Sequence, residues 1–369
     1  MEQKQKLLWV DHDPASCNSS YIGMFDLTKG ITMIGIILLH CINDYFNVLQ
    51  YDGGGNIAVQ LLLSLLTISR YGSVPMLFMI CGYGIRRQSV KKSMKSNIKL
   101  FIIPYTCVIV AVMLCVVLKW CVAGGSLRWR LLHNVLPFFL GLHPGTHLLK
   151  GSFSQIGPVW FFFTYIFAGI YLNWVLQQKQ TWMQILILAV GTAAALMLIG
   201  SPLPFCLQQI AICAGFMYVG MQLKRGKLLQ QKFPVFALLL VYLLCTFSTT
   251  AGGWAEIGNN IYLFGGADLI TAYLAGIVLL WLHQRLDVLQ GPLADGLRWI
   301  GRHMMWLCCI HTVSYLMGPW DTIAAHFEGS ALVGLLLEII ISFVYAFGVC
   351  FLLEAVVKKL LTFRRKSCV

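Results

Sequence analysis

The feature that most constrains this chain is the recurrence of ten apolar stretches of roughly twenty residues or more, near 28–48, 57–85, 100–121, 158–176, 182–200, 205–223, 233–250, 262–282, 298–317 and 332–357. About twenty helical residues cross a hydrocarbon core of roughly 30 Å. In lipid each segment must satisfy its own backbone polar groups, and a helix does so. A soluble fold of 369 residues cannot hide 58% hydrophobic residues with only 11% charged, because folded surface grows nearly as fast as mass. The expected fold is an all-α polytopic membrane protein of about ten transmembrane helices. A polar segment, 1–24, precedes one membrane domain, 25–357, and a basic tail, 358–369, follows it.

The net charge of +13 would suit a nucleic-acid binder, but its placement argues for a bilayer and against nucleic acid. With the N-terminus in the cytoplasm, 22 of the 27 Lys and Arg fall in cytoplasmic segments, as the positive-inside rule requires. The other five are Arg70, Lys119, Arg128, Arg130 and Lys150. This places both termini in the cytoplasm. Some of the excess also attracts anionic headgroups. The first twenty residues lack an apolar core, so no cleavable signal peptide is expected. The 13 cysteines lie mostly within apolar stretches and form no CxxC pair. They read as small buried hydrophobes, with neither a disulfide framework nor a metal site.

No soluble domain and no internal repeat is evident. The longest stretch outside the spans, 122–157, contains His133, His143 and His147, and its apolar middle suits the interface or a dip into the bundle. The loop 86–99 carries Arg86, Arg87, Lys91, Lys92, Lys95 and Lys99.

A few polar residues stand out against this background. Lys29 and His40 are eleven residues apart, about three helical turns plus 20°, so they share a face and differ by some 16 Å in depth. Asp26, three residues before Lys29, can pair with it. His40 lies well inside the membrane, where an ionisable group needs a cavity or a partner. Two roles suit it: a histidine bonded between helices, with Lys29 snorkelling, or a functional imidazole. Arg70 in the second span needs a carboxylate, carbonyls or a ligand. Pro75 frees a carbonyl, which commonly marks a kink. Arg86 and Arg87 present planar forks suited to phosphate, beyond any role in topology. Trp160 opens a span, ordinarily as an interfacial residue, and His311 is a second intramembrane imidazole. Two histidines, an arginine and a lysine within one bundle exceed what packing needs and suggest an internal polar site.

Taken in order, these segments resemble the acyltransferase-3 superfamily of membrane acyltransferases, which includes O-acetyltransferases of bacterial cell-surface sugars and related succinyltransferases. The basic-residue–ten–histidine pattern looks like Lys29 to His40, preceded by Asp26. A second motif resembles Arg70 through Tyr83, with Val74-Pro75 and Gly82-Tyr83. The basic stretch before Pro-Tyr resembles Arg86 through Pro104-Tyr105, the Trp-Phe motif Trp160-Phe161, and the last motif Ile300-Gly301 through His311. The resemblance covers about 25–355, nearly the whole chain. The sequence departs from it at Lys29, where many members carry Arg, at Cys81 for Ser, at Cys308 for Tyr, and at Met304 or Met305 for Ser.

The resemblance implies acyl transfer, acetyl first among the candidates, from cytoplasmic acyl-CoA to a hydroxyl of a cell-surface carbohydrate or similar acceptor. The setting would be a bacterial cytoplasmic membrane, with acyl-CoA as donor and no tightly bound cofactor. Arg86, Arg87 and Lys29 would hold the phosphates of the donor. His40 would act as general base, with Lys29 and Arg70 also assigned to catalysis and Arg70 placed to stabilise an oxyanion or position the acceptor. Asp26, Trp160 and His311 would contact substrate, with a structural role equally open to His311. The competing class is a transporter or flippase for a glycan or small metabolite, which ten helices and intramembrane charges also suit. A third is a membrane module serving a separate catalytic protein.

Overall fold

The computed structural model describes residues 25–49, 57–85, 89–143, 146–148, 151–201, 203–230, 235–250, 255–327 and 331–366. Arg86 and Arg87 lie outside them. The helices are α1 (Asp26–Leu49), α2 (Ile57–Gly84), α3 (Val90–Ala123), α4 (Leu127–Asn134), α5 (Leu136–Leu140), α6 (Trp160–Val175), α7 (Thr181–Met197), α8 (Ile210–Arg225), α9 (Val235–Thr250), α10 (Gly266–Leu286), α11 (Pro292–Arg302), α12 (Met304–Met317), α13 (Trp320–His326) and α14 (Ala331–Lys366). Two antiparallel hairpins interrupt them: β1 (Thr146–Leu148) with β2 (Gly151–Phe153), and β3 (Ala255–Glu256) with β4 (Ile261–Tyr262).

Among the described residues, five helical stretches are long and apolar enough to cross a membrane: Val90–Ala123, Gly157–Val175, Pro204–Arg225, Gly266–Leu286 and Leu332–Val357. Shorter apolar stretches are Thr181–Met197, Phe236–Ser248 and Met304–Met317. Burial separates centre from rim. The apolar window of the α8 stretch is 67% buried, against 28% in α3 and in α14. Residues such as Leu118, Phe247, Val344 and Leu352 point outward, as a lipid-facing rim requires.

Small residues let the central helices approach. A Cβ on Gly82 of α2 would fall on the Met217 carbonyl of α8, and one on Gly220 of α8 would fall on the Met79 carbonyl of α2. The two backbones therefore touch at a reciprocal glycine contact, the small-residue packing that substitutes for hydrophobic drive between helices in lipid. The same pairing joins α1 to α11, where a Cβ on Gly30 would meet the Leu297 carbonyl and one on Gly301 the Asp26 carbonyl. On its other side α2 packs on α10, with Gly276 against Pro75.

The expected single span 298–317 is two helices. His303 (φ −96°, ψ 6°) ends α11 and starts α12. Its Nδ1 lies 2.8 Å from the Trp299 carbonyl, and the Trp299 indole donates to Glu354 of α14 at 3.0 Å. A side chain that competes for the helix's own carbonyls turns the chain here. The stretch after α3 does dip into the bundle. Phe138 of α5 is buried, and its carbonyl accepts from the Tyr105 hydroxyl of α3 at 2.6 Å.

Candidate active site

A cavity of about 650 Å³ runs between α1, α2, α6 and α12 and reaches the β3–β4 hairpin. Lys29, His40, Arg70 and Trp160 all line it, so the structure brings four of the sequence-selected residues into one space. Asp26 does not line it. Buried behind Lys29, Asp26 holds the ammonium at 2.6 Å. Arg302, at the start of the α11–α12 break, joins Lys29 at this basic end.

His40 sits three turns along α1 from Lys29 and opens on the cavity. Its Nδ1 lies 2.8 Å from His311 Nε2, with the two rings within 12° of parallel. His311, on α12, is itself 2% exposed and stands behind His40, outside the cavity lining. Tyr315, one turn further along α12, lies 5.1 Å from the His40 ring between centroids. Its hydroxyl accepts from Gln155 at 3.0 Å. His40 is thus held at one ring nitrogen and flanked on one side, with Nε2 left to the cavity.

Arg70 lies midway along α2. Beside it, the Tyr71 hydroxyl donates to Ser248 at 2.6 Å, Ser248 donates to Asp268 at 2.7 Å, and the Phe264 amide donates to the same carboxylate at 2.7 Å. This buried chain ties α2 to α9 and α10 and leaves none of its hydroxyls orphaned. Arg70 finds its carboxylate in Glu256 of β3, which lies within electrostatic reach and lines the same cavity.

The wall around Trp160 is built from loops. His143 stacks on the indole at 5.9 Å and 14°. Gly258, in the β3–β4 turn, lies so close that a Cβ there would stand 2.8 Å from Trp160 Nε1 and 3.1 Å from His143 Nε2. Phe205 and Cys206 adopt left-handed φ values of 56° and 55°. This turn aims two consecutive glutamines in different directions: Gln208 donates to the His143 carbonyl at 2.8 Å, and Gln209 donates to the Gly258 carbonyl. Asn260, at φ 52°, donates to the Ala195 and Leu198 carbonyls at the end of α7. Burial, with a smaller contribution from nearby His40, lowers the His143 pKa to about 3, so its imidazole is neutral.

His143, Gln155, Glu256, Asn259, Arg302 and Tyr315 are lining residues that the sequence reading did not select as a site. For His143 a signal existed, a histidine in an apolar loop segment. For Glu256 it was the carboxylate that Arg70 demanded. Among the described residues no cluster of His, Cys, Asp or Glu could hold a metal ion.

The arrangement pairs an oriented imidazole with a basic end and a polar, aromatic end of one apolar cavity. Chemically this suits removal of a proton from one bound molecule while a second, anionic molecule is held nearby. Comparison with known families matches residues 22–355 to an acyltransferase domain. Searches of curated proteins and of solved structures found no match. With a match over nearly its whole length, on a framework of apolar helices, the chain belongs to the acyltransferase-3 family as a multi-pass membrane protein.

Proposed function

We propose that the protein is an O-acyltransferase of ten spans, with both termini cytoplasmic, in a bacterial cytoplasmic membrane. It moves an acyl group, acetyl first among the candidates, from cytoplasmic acyl-CoA to a hydroxyl of a cell-surface carbohydrate. The observation that carries this reading is the position of His40 inside one cavity that has Lys29 and Arg302 at one end and Arg70, Gln155, Glu256 and Asn259 at the other. The basic end suits an anionic donor from the cytoplasm, and the polar end, with Trp160, suits a sugar.

In the reaction, His40 Nε2 takes the proton of the acceptor hydroxyl as its oxygen attacks the thioester carbonyl. Arg70 balances the negative charge that develops on the carbonyl oxygen. The carbon–sulfur bond then breaks, and the departing thiolate takes the proton back from His40. The products are an ester and free CoA. Lys29 and the loop that carries Arg86 and Arg87 hold the donor's phosphates.

The test uses purified protein in detergent with radiolabelled acetyl-CoA. Wild type is expected to bind it and hydrolyse it slowly without acceptor. His40→Ala should lose about 10²- to 10⁴-fold in turnover while running as the same monodisperse species. Undiminished turnover in His40→Ala would remove the proposed base. A wild type indifferent to acetyl-CoA and to longer and dicarboxylic acyl-CoAs would remove the donor and leave a transporter as the reading to test.

A further inference from the structure

Beside the main cavity lies a second one, of about 390 Å³, between α2, α3, α6 and α8. Ser93, Asn97 and Asn173 form its polar wall, and Gly84 and Ile85 line its edge. Ile80, Cys81 and Tyr165 line both cavities, so the two meet at these side chains. Asn173 is committed to the scaffold, donating to Ser93 Oγ at 3.3 Å and to the Gly169 carbonyl at 3.0 Å. Two other groups are not committed. Asn97 and the Tyr165 hydroxyl make no hydrogen bond among the described residues, although the Tyr165 ring packs on Phe101 and Phe161. An amide and a phenol at a cavity wall in an apolar bundle call for a polar occupant. The α3 N-terminus, capped by Ser89, adjoins the cavity with Lys91, Lys92 and Lys95 exposed around it, a setting that favours phosphate.

We infer that this second cavity receives the pantetheine arm of the acyl donor, its amides against Asn97 and Tyr165, and passes the thioester between Cys81 and Tyr165 into the main cavity. The inference rests on the acyl-CoA reading above. Three properties carry it. The arm contains two amides, each offering one donor and one acceptor, which a carboxamide side chain complements. The volume lies within the usual range of small-molecule sites. The cavity shares Ile80, Cys81 and Tyr165 with the space that His40 lines, so an arm lying in it would point its thioester end toward that imidazole. The nucleotide then stays outside among the lysines, and only the uncharged arm enters the bundle.

The experiment measures binding of acetyl-CoA, S-acetylpantetheine and adenosine 3′,5′-bisphosphate to the full-length protein in detergent. Asn97→Leu removes the amide at similar size. Gly84→Trp fills the cavity from its exposed edge, where a Cβ meets nothing within 4 Å. Gly348→Trp, on the exposed face of α14 where a Cβ also meets nothing, controls for added bulk, and melting temperatures control for folding. Asn97→Leu should weaken acetyl-CoA and S-acetylpantetheine alike by about tenfold and leave the bisphosphate unchanged. Gly84→Trp should abolish binding of both thioesters, and Gly348→Trp should behave as wild type. Loss of bisphosphate binding alone in Asn97→Leu would assign the cavity to the nucleotide and overturn the proposal, as would wild-type thioester binding in a folded Gly84→Trp protein. A wild type that binds neither thioester overturns the acyl-CoA reading itself, and this inference with it.

Discussion

The contact between His40 and His311 decides what His40 can do. For Nε2 to accept a proton, His40 must carry its hydrogen on Nδ1 and donate it to His311 Nε2. His311 then does for His40 what a carboxylate does for the histidine of a hydrolytic triad: it fixes ring and tautomer, here without a charge that lipid would penalise. In that state His311 must carry its own proton on Nδ1, a buried atom with no hydrogen-bond partner among the described residues. Burying such a donor costs on the order of 1–3 kcal/mol, so the base-competent state is held at some expense. Replacing His311 by Leu should therefore lower kcat about ten- to hundredfold with little change in KM for acetyl-CoA, and His311→Gln, which keeps an acceptor, should recover part of the loss. Equal losses in both variants, or a change confined to KM, would make His311 a packing residue. The sequence made Lys29 and His40 legible because helical geometry is local: eleven residues on one helix fix a shared face whatever surrounds it. His143, Gln155, Glu256 and Asn259 were not legible in this way. They enter from loops and the β3–β4 hairpin, and their positions depend on bonds between segments far apart in sequence: Gln208 to the His143 carbonyl, Gln209 to the Gly258 carbonyl, Gln155 to Tyr315, and Asn260 to Ala195 and Leu198.

Among the elements, reciprocal glycine contacts set how closely the helices approach. Gly301 lets α11 rest its backbone on Asp26, the residue that holds Lys29, so one glycine sets the angle at which the basic end meets the cavity. Gly301→Val places a branched side chain inside that contact. It should destabilise the protein by about 3 kcal/mol or more, read as a melting temperature several degrees lower in detergent. An unchanged melting temperature would show that α11 can move away from α1. Gly348→Val, which meets open space, should melt as wild type does. Hydropathy located the helical segments because apolar length is all a span needs. The break at His303 escaped it because a hydropathy profile has no term for an imidazole bonding a carbonyl one turn back.

For the molecule as a whole, the ten-span arrangement proposed above would put the two ends of the cavity on opposite faces of the membrane, and this can be tested directly. In a variant with its native cysteines replaced by serine or alanine, exposed Cys107 and Cys121 among them, a cysteine at exposed Lys95, on the basic end of α3, should react with a membrane-impermeant maleimide only after cells are opened. One at exposed Leu263, beside the β3–β4 hairpin, should react in intact cells. Labelling of both, or of neither, in intact cells would refute the assigned orientation. One detail of the outer wall bears on how such a protein changes over time. Gln208 and Gln209 grip the His143 and Gly258 segments by their main-chain carbonyls. Carbonyls are common to all residues, so the grip is indifferent to most side chains those segments carry. The jaws can be refaced while the vice stays fixed. On the function proposed above, a new acceptor preference can therefore arise by exchanging a few loop residues, with the imidazole deeper in the bundle left as it is.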